Sequence, residues 1–118
     1  MSHAKILANL FELSQSVKIY VPSTVNVDEK TDNQEMVKHV ETVLSDFFGG
    51  ATAMNALGSW LSQDKSLVFE HVTVVQSYCT EEQLNQHIEE IVNLALYVKK
   101  EMSQEAVSLE VNNKLYLV

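Results

Sequence analysis

Between residues 47 and 60 the sequence reads FFGGATAMNALGSW, and within it one periodicity stops and another begins. Upstream, Met36, Val40, Val43, Leu44 and Phe47 recur at steps of three and four, the repeat of one helical face. Gly49 and Gly50 then permit a left-handed C-cap. From Ala51 the run through Met54, Leu57 and Trp60 reads as a strand, with Gly58 inside it suggesting a bulge or a close backbone approach. A chain with this junction must fold a helix back onto a sheet.

The remaining elements assemble around that junction. Residues 4–13 place Ile6, Leu7, Leu10, Phe11 and Leu13 mostly on one helical face, which suits a short helix packed on the domain or an arm that docks on another subunit. The run VKIYV at 17–21, closed by Pro22, reads as the first strand. A polar loop, residues 22–33, follows; long loops rich in hydroxyl and amide groups carry binding roles or serve as plain connections. Thr31 before Gln34, or Asp32 before Glu35, gives the capping-box spacing for the helix that ends at the glycines. After Trp60 a turn at 62–66 leads into a strand over 67–78, so a hairpin is expected. Thr80 with Gln83 opens a second helix whose buried face is expected to hold Leu84, Ile88, Ile91, Ala95, Val98 and Met102. Two short strands close the chain across Asn112-Asn113, a pair that tolerates a type I′ turn.

Setting aside the first helix and the last strand, the order is βαββαβ, the split βαβ arrangement. The fold class expected is therefore α+β, ferredoxin-like, with a short N-terminal helix and an added C-terminal strand. Residues 1–118 are expected to form one domain, with 1–14 as a helical arm and 17–118 as the core. Both helices would cover one sheet face, leaving the other for solvent, a ligand or a second sheet, so a homo-oligomer is expected.

Charge narrows the partners. The net charge is −8, and all 8 basic residues are lysines with no arginine to fork onto phosphates or guanine edges. Direct duplex nucleic-acid binding is not expected on that ground. No apolar run approaches a membrane span and no secretory leader is recognisable, so the location expected is cytoplasmic, off the membrane. The lone cysteine, Cys79, fits a reducing compartment.

Chemistry is sparse. His3, His39, His71, His87 and Cys79 show no metal-ligand spacing, so neither a metal nor a cofactor is expected. The glycine pair follows a helix and precedes a strand, the reverse of a phosphate-cradling loop. Cys79 stands just before a helix N-cap, where a thiol is either activated or merely packed. Glu70, next to His71 in a central strand, is the acid to test first, set against an outward-facing carboxylate on a half-solvated sheet. A recognition surface is better supported: Tyr20, Ser59, Trp60, Glu70, Gln76 and Tyr78, joined by Ser23 and Thr24 from the long loop.

At IYVPSTVNV, FFGGAT, GSW, QSYC and QEAVSLEV the chain resembles a family of small uncharacterised proteins spread among bacterial genomes, phages and other mobile elements. The resemblance spans nearly all of the chain after residue 17. More loosely, it is similar to another bacterial domain with a Gly-Thr turn, a Gly-x-Trp strand and a following glutamate, which fall here on Gly50, Thr52, Gly58, Trp60 and Glu70. The resemblance implies a role in host interaction or on a mobile element, including interference with host defence.

Three functions compete. The first is a non-enzymatic binding protein whose acidic surface holds a basic protein partner, such as a host-defence component. The second is a homo-oligomer that sequesters a small nucleotide-like ligand, and the third a small ferredoxin-like-barrel enzyme with Glu70 or His71 as acid or base.

Overall fold

In the computed structural model, residues 2–25 and 29–118 are described. A short helix α1 (His3–Leu7) precedes β1 (Gln15–Pro22), two minimal strands β2 (Thr24–Val25) and β3 (Glu29–Lys30), and helix α2 (Gln34–Phe48). Then come β4 (Thr52–Leu61), β5 (Leu67–Cys79), helix α3 (Glu81–Glu101), β6 (Ser108–Val111) and β7 (Lys114–Leu117). The main sheet has the order β4-β5-β1-β6-β7, and every pairing in it is antiparallel. Without β7 this is the ferredoxin-like arrangement, so the α+β class with an added terminal strand holds.

Alternation along the strands sorts the residues between two faces. In β1, Val17, Ile19 and Val21 are buried, and their partners on β5 are Ser77, Val75 and Thr73. Val40, Leu44 and Phe48 of α2 and Ile91, Ala95 and Val98 of α3 join Val17, Ile19, Val21, Val75 and Leu109 in one core cluster, so both helices cover the same face. Leu94 completes the buried stripe of α3, whereas Ile88, expected within it, lies at the helix edge. Among the described residues no helix is long and apolar enough to cross a membrane.

Local chemistry sets the element ends. Thr80 Oγ1 accepts from the Gln83 N–H at 3.1 Å and Gln83 Oε1 accepts from the Thr80 N–H at 2.9 Å, completing the expected capping box of α3. Thr80→Ala should therefore lower stability by about 1 kcal/mol, read as a shift of the urea midpoint; an unchanged midpoint would show that the cap is redundant. Gly49, at φ 90°, ends α2, and Asn112 and Asn113, at φ 50° and 67°, form the type I′ turn.

Four further expectations need correction. The cap of α2 is Asn33, one or two residues past the expected boxes, and its side-chain amide is engaged elsewhere. Only Asp32 Oδ1 meets this helix start, accepting from the Gln34 N–H at 3.0 Å. The loop at 22–33 contains the β2–β3 pair; its residues 26–28 lie outside the described ones. Gly58 sits in an unbroken ladder opposite Glu70, and a Cβ there would meet the Glu70 carbonyl at 3.6 Å, an ordinary contact, so there is no bulge. Finally, α1 spans five residues and buries none of them, because its apolar stripe has no surface of its own chain to cover.

Cys79 is buried in the core, and burial pushes its thiol above the ordinary value. Its side chain packs within the core cluster. In the unfolded chain the thiol ionises near its ordinary value, whereas burial in the folded chain favours the protonated form. Stability present below that value is thus lost as pH rises toward the raised one. Urea midpoints should fall further between about pH 8 and about pH 10 for the natural chain than for Cys79→Ala. Equal falls would contradict the burial account.

Candidate functional site

Where β1 ends at Pro22, opposite Val72, β5 continues toward its start with the edge facing β1 unpaired. Ser23 and Thr24 pass along that edge. The Ser23 hydroxyl donates to the His71 carbonyl at 2.5 Å, and the Thr31 N–H donates to the Ser23 carbonyl at 2.8 Å, closing the base of the β2–β3 pair. Between this short ribbon and β5 lies a cleft of about 580 Å³, within the range of small-molecule sites. Ser23, Thr24, Lys30 and Thr31 line one side of it; Trp60, Val68, Phe69, Glu70 and His71 line the other.

The polar centre of the cleft is a pair. The Thr24 hydroxyl donates to Glu70 Oε1 at 3.2 Å across 46 residues of sequence. Thr24 is buried and Glu70 half-buried, so the carboxylate has a fixed orientation with one face toward the cleft. Gln104, in the segment after α3, holds Thr24 from behind: its amide donates to the Thr24 carbonyl at 2.8 Å and to the Met102 carbonyl at 2.9 Å. Asn33 ties the root of the ribbon to the sheet through the Pro22 carbonyl at 3.2 Å and Thr73 Oγ1 at 3.1 Å. Trp60, 48% exposed, lies opposite Val68 on the face that carries Glu70 and supplies a broad apolar wall.

Of the eight residues expected to form a recognition surface, Ser23, Thr24, Trp60 and Glu70 come together here. Ser59 does not, because it pairs with Phe69 and points to the opposite sheet face from its neighbour Trp60. Tyr20, Gln76 and Tyr78 share the face of Glu70 by alternation. They stand too far along it: Gln76 is six residues from Glu70, roughly 20 Å of strand, and Tyr20 pairs with Val74, roughly 13 Å away. Gln76 and Tyr78 line a separate shallow cavity of about 380 Å³ with Gly49 and Gly50.

Val68, Phe69 and the supporting Gln104 are not among the expected site residues, and Lys30, Thr31 and Asn33 enter only as members of the loop at 22–33. Lys30 and Thr31 belong to the loop singled out for binding, but no spacing marks Gln104, which reaches Thr24 from 80 residues away. Among the described residues no group of three or more His, Cys, Asp and Glu side chains could hold a metal ion.

No protein-family profile matches the chain, and no curated protein matches it. Solved structures do. A phage SAM lyase in complex with S-methyl-5′-thioadenosine aligns with a TM-score of 0.64 at 16% identity, covering 92% of this chain and 92% of that one. A phage SAM lyase in the apo state aligns with a TM-score of 0.63 at 18% identity, over 92% of this chain and 94% of that one. A Bacillus cereus protein related to NIF3 aligns at 0.50 and 12% identity over 88% of this chain, which is 25% of that longer chain. These matches correct the expectation of a non-enzymatic protein that holds a basic partner. Two solved chains that share the fold over almost their whole length carry the name of an enzyme that acts on a small molecule. The chain thus has the fold of the phage SAM lyase structures: a ferredoxin-like sheet and two covering helices, extended at one edge by β7.

Proposed function

We propose that this protein binds S-adenosylmethionine in the cleft between the β2–β3 ribbon and the free edge of β5, and cleaves it to S-methyl-5′-thioadenosine. The observation that carries this reading is the oriented Glu70–Thr24 pair inside a cleft large enough for a nucleoside, with Trp60 as a stacking wall. The fold shared with a SAM lyase bound to that product supports it.

The ligand suits the chain's charge. S-adenosylmethionine carries a sulfonium, an ammonium and one carboxylate, and no phosphate. It is a net cation, which an acidic protein attracts, and it does not need the arginines this chain lacks. Conversion to the thioadenosine breaks the bond between sulfur and the amino-acid side chain. Sulfur keeps the electron pair and becomes a neutral thioether. In a lyase reaction no water enters, so the departing four-carbon fragment must either close on its own carboxylate or lose a proton to form a double bond.

Both routes remove charge from sulfur in the transition state. A carboxylate against the sulfonium would stabilise the substrate more than the transition state and slow the step. Glu70 therefore acts away from sulfur, as acceptor for the ammonium or for the proton that leaves. Val68 and Trp60, on the face of Glu70, give the cleft a low-polarity wall that favours charge annihilation. Lys30, on the ribbon, is the cation available to the substrate carboxylate. The exposed apolar residues of the β4–β5 hairpin, among them Leu57, Leu61, Leu67 and Phe69, favour a homo-oligomer in which copies cover one another's hairpins.

Incubation of the purified protein with S-adenosylmethionine, followed by chromatography, tests the reading. S-methyl-5′-thioadenosine should accumulate far above its spontaneous formation in buffer. Loss of substrate at the spontaneous rate, together with no protection from thermal unfolding by the thioadenosine, would reject it.

A further inference from the structure

We propose that the groove between α3 and the β6–β7 hairpin receives the N-terminal arm of a second copy of this chain. The groove holds about 300 Å³ and is lined by Ile88, Val92, Leu109, Val111, Tyr116 and Val118, apolar apart from one phenol. It lies on the helix-covered side of the sheet at the edge away from β4, and no residue of the cleft at Glu70 lines it. Ile88, 37% exposed, is left open by its own chain although its neighbours on the helix, Leu84 and Ile91, are buried.

The occupant is on the same chain's inventory. Ile6, Leu7, Leu10 and Phe11 form two pairs spaced by four, and they are 53%, 55%, 62% and 86% exposed. Helix α1 has five residues, far below the length at which a helix holds itself together in water, so its apolar face needs a surface to lie on. Its own chain directs it elsewhere: Leu13, at the root of the arm, lies beside Phe48, Gly50 and Tyr78 on the β5 side of β1, whereas the groove is on the β6 side. Charge agrees with a second copy as the host. Residues 3–11 carry Lys5 and no carboxylate, and the exposed Glu89 follows the groove residue Ile88 on α3. An amphipathic segment set into an apolar groove with a complementary rim is a common helix-in-groove recognition mode.

Disulfide trapping tests this without any ligand, and so independently of the proposed reaction. Leu10→Cys is made in one full-length chain and Val92→Cys in another, each distinguishable by mass; native Cys79 is buried and does not compete. Oxidation of the mixture should yield a cross-linked heterodimer about a hundredfold faster than unrelated surface thiols react, because docked thiols meet at an effective concentration of roughly millimolar. Adding Ile6→Ser and Phe11→Ser to the arm should abolish the excess, and Tyr116→Cys should trap the arm as Val92→Cys does. Heterodimer no more abundant than the homodimers of either variant alone would overturn the proposal. So would an internal disulfide in a monomeric chain carrying both cysteines, which would place the arm in its own groove.

Discussion

Glu70→Gln is expected to lower the rate of S-adenosylmethionine cleavage on the order of 10²–10⁴-fold, with the fold unchanged. The substitution is chosen because Gln keeps an oxygen where Glu70 Oε1 now accepts from the Thr24 hydroxyl, so the local hydrogen bond survives while the charge and the basicity go. Pairing Gly58, Glu70 sits in the middle of the β4–β5 ladder, where the backbone is held from the β4 side whatever the side chain is. Circular dichroism and the urea midpoint should therefore match the parent, which separates a chemical defect from a folding one. The division between kcat and KM carries further information. If Glu70 mainly takes a proton, kcat falls and KM is steady; if it mainly holds the ammonium in both ground and transition states, KM rises instead. Parent-level turnover in the folded variant would remove Glu70 from the chemistry.

The second large effect is on stability. Ile19→Ala should cost about 2–5 kcal/mol, a large share of the roughly 5–15 kcal/mol that holds an ordinary domain together. Ile19 is 0% exposed at the centre of the central strand, paired with Val75 on one side and Leu109 on the other. Removing three of its carbons leaves a void between a sheet hydrogen-bonded on both sides and two helices, where little can collapse inward. The melting temperature should fall on the order of 10–20 °C. The same truncation at Leu57, 57% exposed, should leave the isolated subunit almost unaffected. Comparable losses at the two positions would contradict the placement of the core.

Much of this architecture is legible in the sequence because local and tertiary preferences agree. The capping box at Thr80, the helical glycine stop at Gly49 and the Asn112-Asn113 turn each specify a boundary by their own chemistry, and all three stand where expected. The boxes before α2 are different: Thr31 lines the cleft, and Asn33 is drawn into the tie between Pro22 and Thr73, so a tertiary contact overrides a local signal. Ile88 has the right period for the core but lies where α3 passes the sheet edge, which periodicity cannot know.

In the candidate site, strand alternation is legible in the sequence but distance along the strand is not. Alternation alone separates Ser59 from Trp60, since adjacent residues of a strand face opposite ways. It also groups Glu70 with Gln76 and Tyr78 without saying that a strand spreads them over distances no small ligand spans. Thr24 and Glu70 meet because β1 ends early and β5 does not, a difference in strand length visible only once the two are in register. Gln104 comes to the pair from the far end of the chain with nothing in its surroundings to announce it. An acidic balance does not by itself select a basic protein as partner, because a small cation such as the proposed substrate meets the same condition.

The most direct test of that fit is a two-dimensional amide NMR titration of the labelled protein with S-methyl-5′-thioadenosine, with the indole N–H of Trp60, the only tryptophan, as an internal reporter. Shifts centred on Ser23, Thr24, Trp60, Val68 and Glu70, and weakened in Glu70→Gln, are the predicted result. A spectrum that does not move, or one that moves instead around Asn33, Lys38, Ala53 and Asn55 in the polar cavity beside α2, would contradict the assignment of the cleft.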